Sequence, residues 1–293
     1  MSIIAFKDTH VLIQGITGGM ARHHTQNMLA YGTKIVAGVR PGAAGQEVHG
    51  VPVYDSVADA CARQRIDASI LFIPAKGVKD SALDTFRNGI KLLVIVTEHV
   101  PLRDAMIIME EKVKRGAIVI GPNTPGMISP GEQCMLGFVP GRYFVPGPMG
   151  VASRSGTLTY EFVSRLTAAG IGQSTCIGVG GDRIVGLRFT EALKLFERDA
   201  QTKAVLLVGE IGGTMEEEAA ELVSSGTISK PVIAYVAGHT APEGTKVGHA
   251  GAIVDGSRGT IKTKIEALTK AGVYCARRPA EAIEFAGKAL KKR

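Results

Sequence analysis

The stretch His10-Val-Leu-Ile-Gln-Gly-Ile-Thr-Gly-Gly-Met20 decides the fold. His10 to Gln14 reads as a strand, a glycine-bearing turn follows, and Gly19 to Tyr31 reads as a helix. Gly15, Gly18 and Gly19 let the chain turn tightly and present backbone N–H groups at a helix N-terminus, where phosphate binds. The turn is not the G-x-G-x-x-G dinucleotide fingerprint, and no acidic residue follows the second strand to hold a ribose. Arg40 ends that strand instead, which suits a phosphorylated ribose or a pyrophosphate. A tight strand–helix turn without a ligand fits the same residues.

Outward from this turn, short aliphatic runs alternate with amphipathic stretches. Lys34 to Gly38 is a strand, Val57 to Arg63 a helix and Ala68 to Ile73 a strand. A helix over Val78 to Asn88, a strand over Leu92 to Thr97, a helix over Leu102 to Arg115 and a strand over Ile118 to Ile120 follow. Such alternation predicts parallel strands with helices on both faces, so residues 1–123 read as one doubly wound unit. Prolines 122, 125, 130, 140, 146 and 148, mixed with glycines, mark residues 124–150 as a connector rather than an element. A second alternation over 151–293 opens with strand Met149 to Ala152, helix Thr157 to Ala169 and strand Ser174 to Val179. Helix Leu187 to Glu197, strand Ala204 to Gly209, helix Met215 to Ser225 and strand Val232 to Val236 continue it, and helices Thr260 to Ala271 and Ala280 to Lys291 close it. The expectation is two α/β domains in tandem.

Composition agrees with a globular chain. Of 293 residues, 45% are apolar and 21% charged, enough for about two cores. No apolar run nears the roughly 20 residues of a membrane helix, and Met1-Ser-Ile-Ile-Ala-Phe-Lys-Asp8 lacks the form of a secretory signal. Cys61, Cys134, Cys176 and Cys275 have no paired spacing, which argues for reduced thiols and a cytoplasmic protein, and against a zinc site. The net charge of +7 suits a polyanionic ligand such as a nucleotide or coenzyme. Without tryptophan or a basic stripe with interleaved aromatics, nucleic-acid binding is not expected.

Four further stretches carry candidate chemistry. Val96-Thr97-Glu98 ends a strand, where the ligand crevice of an open parallel sheet lies. In Ala152-Ser-Arg-Ser-Gly-Thr157, Ser153, Ser155, Gly156 and Thr157 bring hydroxyls and N–H groups to a helix start, a receiver for phosphate. A plain N-cap accounts for one hydroxyl but not for three. In Gly244-Thr-Lys-Val-Gly-His-Ala-Gly-Ala-Ile253 one imidazole, His249, sits among small residues, and a nitrogen nucleophile there makes a phosphohistidine chemically plausible. A loop histidine with no role fits that stretch equally well. Glu210, in Val208-Gly-Glu-Ile-Gly-Gly213, is placed to orient His249 and stabilise its charged form. Glu216 to Glu218 read as structural, with Thr214 and Glu217 as a capping box, and His23 and His24 show no partner pattern.

Together these pieces resemble the succinyl-CoA synthetase α-subunit family over nearly the whole chain. The resemblance rests on Gly15-Ile-Thr-Gly18, Ile120-Gly-Pro-Asn123, Ser153-Arg-Ser-Gly-Thr-Leu-Thr-Tyr-Glu161, Gly172-Gln-Ser-Thr-Cys176, Gly180-Gly-Asp182, Gly209-Glu-Ile-Gly-Gly213 and Gly248-His-Ala-Gly-Ala-Ile253. It implies an α/β architecture: an N-terminal Rossmann-like CoA-binding domain, then a flavodoxin-like doubly wound domain carrying the phosphohistidine loop. It implies a nucleotide-dependent acid–CoA ligase, of tricarboxylic-acid-cycle type, that forms an acyl-CoA, succinyl-CoA by default, through phosphohistidine and acyl phosphate. ATP or GTP with Mg2+ would sit on a partner β subunit of ATP-grasp fold, in a heterodimer or heterotetramer. Thr17, Gly18, Gly19 and Met20 would cradle CoA, with Val96, Thr97 and Glu98 lining the cleft. Ser155, Gly156 and Thr157 would steady the phosphohistidine, Tyr160 would contact the small carboxylic acid, and Glu210 would orient His249.

The chain also departs from the family. Gly19-Met-Ala-Arg-His-His24 replaces Ser-Gln-Gly-Thr-Phe-His, and Ala43 stands where a lysine contacts CoA phosphate, with Arg40 or Arg22 as substitutes. Gly180-Gly-Asp-Arg-Ile-Val-Gly186 replaces Gly-Gly-Asp-Pro-Ile-Pro-Gly and adds Arg183 near the acid, which leaves malate, citrate or another carboxylate open as substrate. A non-catalytic CoA- or nucleotide-binding regulatory protein of the same fold is the alternative. An NAD-dependent dehydrogenase is disfavoured by the missing fingerprint.

Overall fold

A computed structural model describes residues 2–238, 251–252 and 259–291. His249 therefore lies outside the described residues. The first sheet contains β1 (His10–Gln14), β2 (Lys34–Val39), β3 (Glu47–Val48), β4 (Val51–Tyr54), β5 (Ala68–Leu71), β6 (Leu92–Ile95) and β7 (Ile118–Ile120). Its helices are α1 (Gly19–Tyr31), α2 (Val57–Arg63), α3 (Val78–Arg87) and α4 (Leu102–Arg115). The second sheet contains β8 (Gly126–Ser129), β9 (Cys134–Gly137), β10 (Pro146–Ser153), β11 (Gln173–Gly178), β12 (Ala204–Glu210), β13 (Val232–Ala237) and β14 (Tyr274–Ala276). Around it lie α5 (Gly156–Ala168), α6 (Phe189–Arg198), α7 (Met215–Ser224), α8 (Ile261–Lys270) and α9 (Pro279–Lys291).

The first sheet runs β3-β4-β2-β1-β5-β6-β7, parallel except for β3 against β4. Its middle is buried on both sides, so each strand reads as an unbroken apolar run rather than an alternation. Val11 and Ile13 join the main core, while Leu12 between them turns to Ala37, Val57 and Ala60 on the other face. Strand order reverses between β1 and β5, and an open α/β sheet binds ligand at such a switch point. Gly15 makes the exit from β1 possible. It has φ +79°, and a Cβ there would run into the Phe72 carbonyl at the end of the neighbouring β5.

The second sheet runs β14-β13-β12-β10-β11-β8-β9, with its own reversal between β10 and β12. That is the flavodoxin-like order, extended at one edge by an antiparallel pair. This pair corrects the reading of 124–150 as a connector without elements. Met127 and Ile128 of β8 and Leu136 of β9 are fully buried. Glycines rather than side chains stand where the two strands begin and end: a Cβ on Gly126 would collide with Leu136, and one on Gly137 with Pro125. The prolines and glycines taken as loop punctuation are the means by which two strands pack closely. Short strands β3, β4 and β14 were likewise absent from the sequence reading.

Strand β9 also ties the two sheets together. The Thr33 hydroxyl, just past α1, donates to the Met135 carbonyl at 2.9 Å and accepts from the Met135 N–H at 2.9 Å. Met28 of α1 is fully buried in the core shared with β9. The main hydrophobic core thus runs from Ala5 to Ala289 across both sheets.

Candidate functional site

Two clefts open at the carboxyl ends of the first sheet. One, of about 390 Å³, is lined by Gln14, Gly15, Thr17 and Gly18 of the turn, by Arg40, and by Phe72, Ile73 and Pro74 after β5. Arg40 is exposed and its Nη1 donates to the Thr17 hydroxyl at 2.8 Å, so the guanidinium lies on the lip beside the start of α1. Ala43 is 5% exposed, and Asp55 accepts the N–H groups of Ala43 and Ala44 at 3.0 Å each, which turns that loop back on the sheet. Arg40 therefore brings a cation to the turn where Ala43 offers none. The second cleft, of about 580 Å³, shares the Phe72-Ile73-Pro74 wall and adds Met20, His24, Val96, Thr97, Glu98, Asn123 and Phe138. Its floor is fixed by the Thr97 hydroxyl, which donates to the Ile73 carbonyl at 2.6 Å. The sequence-predicted Thr17, Gly18, Met20, Arg40, Val96, Thr97 and Glu98 thus line two adjoining clefts, and exposed Gly19 stands in the chain between Gly18 of the first and Met20 of the second.

At the second switch point, β10 and β12 deliver Ser153-Arg154-Ser155 and Glu210 side by side. The hydroxyls of the Ser-Arg-Ser-Gly-Thr turn have separate duties. Ser153 is fully buried, donates to the Ser155 carbonyl at 2.7 Å and accepts the Ser155 N–H at 3.1 Å. Ser155 caps α5 by accepting the Leu158 N–H at 3.3 Å. Thr157 stays exposed on the first turn, so of the three hydroxyls it is the one that faces solvent. Tyr160, one turn along, is half-buried, and burial pushes its hydroxyl above the ordinary range, so it remains a donor at neutral pH.

Beneath this turn lies a charge cluster that the sequence reading missed. Arg154 is 2% exposed and sits 3.1 Å from the Glu210 carboxylate and 3.3 Å from that of Glu216. Its Nη1 also donates to the Gly212 carbonyl at 2.9 Å. Lys264 of α8, fully buried, pairs with Glu216 and reaches Glu217 at 3.0 Å. Glu216 is therefore part of a buried ionic network rather than a dipole-facing surface residue. Thr214 and Glu217 form no capping box: Thr214 donates to Glu218 at 2.7 Å, and Glu217 is taken by Lys264. Gly209 makes the space, since a Cβ there would meet the Glu216 side chain.

Gly251 brings the other end of the histidine stretch to this place. Two residues along the chain from His249, its N–H donates to the Gly181 carbonyl at 2.9 Å, and its carbonyl lies 3.4 Å from Arg154 Nη2. Neighbouring Asp182 is 7% exposed, and burial pushes its carboxyl up despite the opposing influence of the Asn123 amide and His99. Arg183 is exposed. Asp182 links the two sites, because Asn123 also lines the second cleft.

The comparisons identify the two α/β units as a CoA-binding domain followed by a CoA-ligase domain. The CoA binding domain model matches residues 6–99 and the CoA-ligase model residues 152–274. The succinate–CoA ligase (ADP-forming) subunit alpha 2 of Archaeoglobus fulgidus is 50% identical over 290 residues, 99% of this chain and 100% of that one. The corresponding alpha subunit of Aquifex aeolicus is 46% identical over 99% of this chain and 95% of its own length. The chain belongs to the succinate–CoA ligase alpha-subunit family. In fold it also superimposes on ATP citrate lyase from Methanothrix soehngenii, solved with citrate and coenzyme A, with a TM-score of 0.89 at 22% identity. That match covers 99% of this chain and 51% of the longer one. Among the described residues no helix is long and apolar enough to cross a membrane.

Proposed function

We propose that this chain is the α subunit of a nucleotide-dependent acid–CoA ligase acting through a phosphohistidine at His249. A β subunit of ATP-grasp fold would hold ATP or GTP with Mg2+ and phosphorylate His249. A carboxylate, succinate by default because the relatives are succinate–CoA ligases, takes the phosphoryl group as an acyl phosphate. The CoA thiol then displaces phosphate. The observation that carries this reading is the placement of Gly251: the end of the histidine stretch is held beside Arg154, Glu210 and the start of α5.

The residues divide the work. N–H groups of Gly156 and Thr157 at the positive end of α5 would receive the phosphoryl oxygens, with Ser155 fixing the helix start. Glu210, kept in place by Arg154, would hold the imidazole of His249 in one tautomer. Tyr160, protonated, would donate to the acid. Turn residues 17–20 and Arg40 would take the phosphates of CoA, and Val96, Thr97 and Glu98 would line the path of its arm. The test is reconstitution with a β subunit and γ-labelled ATP. Acid-labile label on this chain, discharged when an acid and CoA are added together, is the expected result; no label on this chain overturns the reading. A panel of dicarboxylic and tricarboxylic acids in the same assay identifies the substrate.

Arg40 supplies a separate check. Arg40→Ala removes a charge-assisted contact and is expected to weaken CoA binding by about tenfold or more, measured by calorimetry. Phosphorylation of His249 should change far less. Unchanged CoA affinity would refute the assignment of Arg40 to the missing lysine's task.

A further inference from the structure

The second cleft holds an ionisable group that the reaction as described leaves without a task. Most of its wall is apolar: Met20, Phe72, Ile73, Pro74, Val96 and Phe138. Into this wall α1 projects His24, whose ring stacks on Phe72 at 5.9 Å between centroids and 17° between planes. Phe138 lies 5.4 Å away on a tilted plane. Two aromatic rings from separate segments thus fix the orientation of a half-buried imidazole. Among the described residues neither ring nitrogen has a hydrogen-bond partner. A core histidine is normally hydrogen-bonded, and a surface histidine is not held by rings. An oriented, unpartnered imidazole in an apolar trough fits a group kept for a ligand proton.

The trough says which ligand. It shares the Phe72-Ile73-Pro74 wall with the glycine turn and Arg40, where the phosphates of CoA are assigned above. The thiol-bearing arm must leave that turn and travel toward the second site, and the adjoining cleft is lined by both His24 and Asn123. We propose that His24 is the catalytic base that takes the thiol proton of CoA as the thioester forms. This rests on the acid–CoA ligase reading given above. The S–H bond breaks with its proton passing to a ring nitrogen. The sulfur lone pair forms the C–S bond at the acyl carbon of the acyl phosphate, and the C–O bond breaks with its electron pair leaving on phosphate. The imidazolium then returns the proton to the departing phosphate, so no other reactant is required.

The electrostatics keep the ring ready. Burial first, and then His23, lower its pKa from the ordinary 6.5, so the ring is neutral at physiological pH. Glu98 lines the same cleft and the His23 ring lies 5.1 Å away, while the strands packed against α1 carry Cys134, whose thiol is pushed up to about 12, and Lys34, paired with Asp8. The rate of the thioester step should therefore fall as pH drops through a value below 6.5, where the ring becomes protonated.

The test uses the complex with its β subunit and two variants, His24→Gln and His24→Phe, the second keeping the aromatic packing. Three readouts separate the steps: labelling of His249 by ATP, acyl hydroxamate formed from ATP and acid with hydroxylamine in place of CoA, and CoA-dependent thioester formation. Both variants are expected to keep the first two. The third should fall about 100-fold in kcat, with KM for CoA within about threefold, and the acid limb of its pH profile should vanish. Thioester formation retained with its acid limb intact would overturn the proposal. So would a loss confined to KM, which makes His24 a wall of the binding site, or an equal loss in all three readouts, which makes it structural. A wild-type complex that forms neither label nor hydroxamate defeats the ligase reading instead, so the two failures are distinguishable.

Discussion

Glu216→Ala is expected to cost about 3–5 kcal/mol of stability and to lower the melting temperature by roughly 10 °C. The carboxylate is 1% exposed and serves three partners at once: Arg154, Lys264 and the N–H of Glu210 at 3.1 Å. Removing it leaves two buried cations short of charge and one buried N–H without an acceptor. Each cation keeps one carboxylate, Lys264 with Glu217 at 3.0 Å and Arg154 with Glu210 at 3.1 Å, so the lost charge is shared between them. Glu216→Gln keeps the shape and an acceptor, and should cost less. Glu217→Ala, at a partly exposed position, should cost less again. Urea unfolding of the three variants checks the ranking. A loss below about 1 kcal/mol for Glu216→Ala would mean that the cluster is satisfied by water or rearrangement.

The consequence reaches the reaction because the same arginine touches both the frame and the site. Arg154 binds the carbonyls of Glu210 and Gly212, the carboxylates of Glu210 and Glu216, and approaches the Gly251 carbonyl. Helix α8, through Lys264, holds Glu216, the carboxylate that Arg154 shares. The start of α5, the end of β12 and the end of the histidine stretch are thus joined through one side chain. A partly folded Glu216 variant should lose phosphorylation of His249 before it loses binding in the first-sheet trough, which the cluster does not touch.

Local pattern made much of this legible. The turn after β1, the strand ends at Glu98 and Glu210, and the helix start at Ser155 all stand where alternation and glycine placement put them. What escaped had its cause in long-range packing. Gly126 and Gly137 read as loop glycines because nothing local says that two backbones meet there. An acidic run at the start of α7 reads as a dipole partner on any helix, and only the absence of a side chain at Gly209 turns Glu216 inward. Arg154 was visible only as a cation between two serines; its partners arrive from β12, α7 and α8. His24 has no sequence partner because Phe72 and Phe138 come from other segments. The hydroxyls of Ser153 and Ser155 were read as one set, whereas the turn needs two of them for its own geometry.

His249→Ala should abolish label on this chain and reduce turnover at least about 10,000-fold, the scale seen when a covalent nucleophile is removed. No described side chain near the start of α5 can replace it. Ser153 is buried and Ser155 caps the helix, while a Thr157 hydroxyl would need a base beside it to attack phosphorus at neutral pH. Glu210 could itself accept a phosphoryl group only as an acyl phosphate, and Arg154 at 3.1 Å holds that carboxylate against the β12 end. CoA binding, in contrast, should persist, because the trough of Thr17, Arg40 and Glu98 belongs to the other sheet. The paired measurement is decisive in both directions. Lost label with intact CoA affinity assigns the nucleophile, and label that survives the substitution sends the search to another residue of the chain.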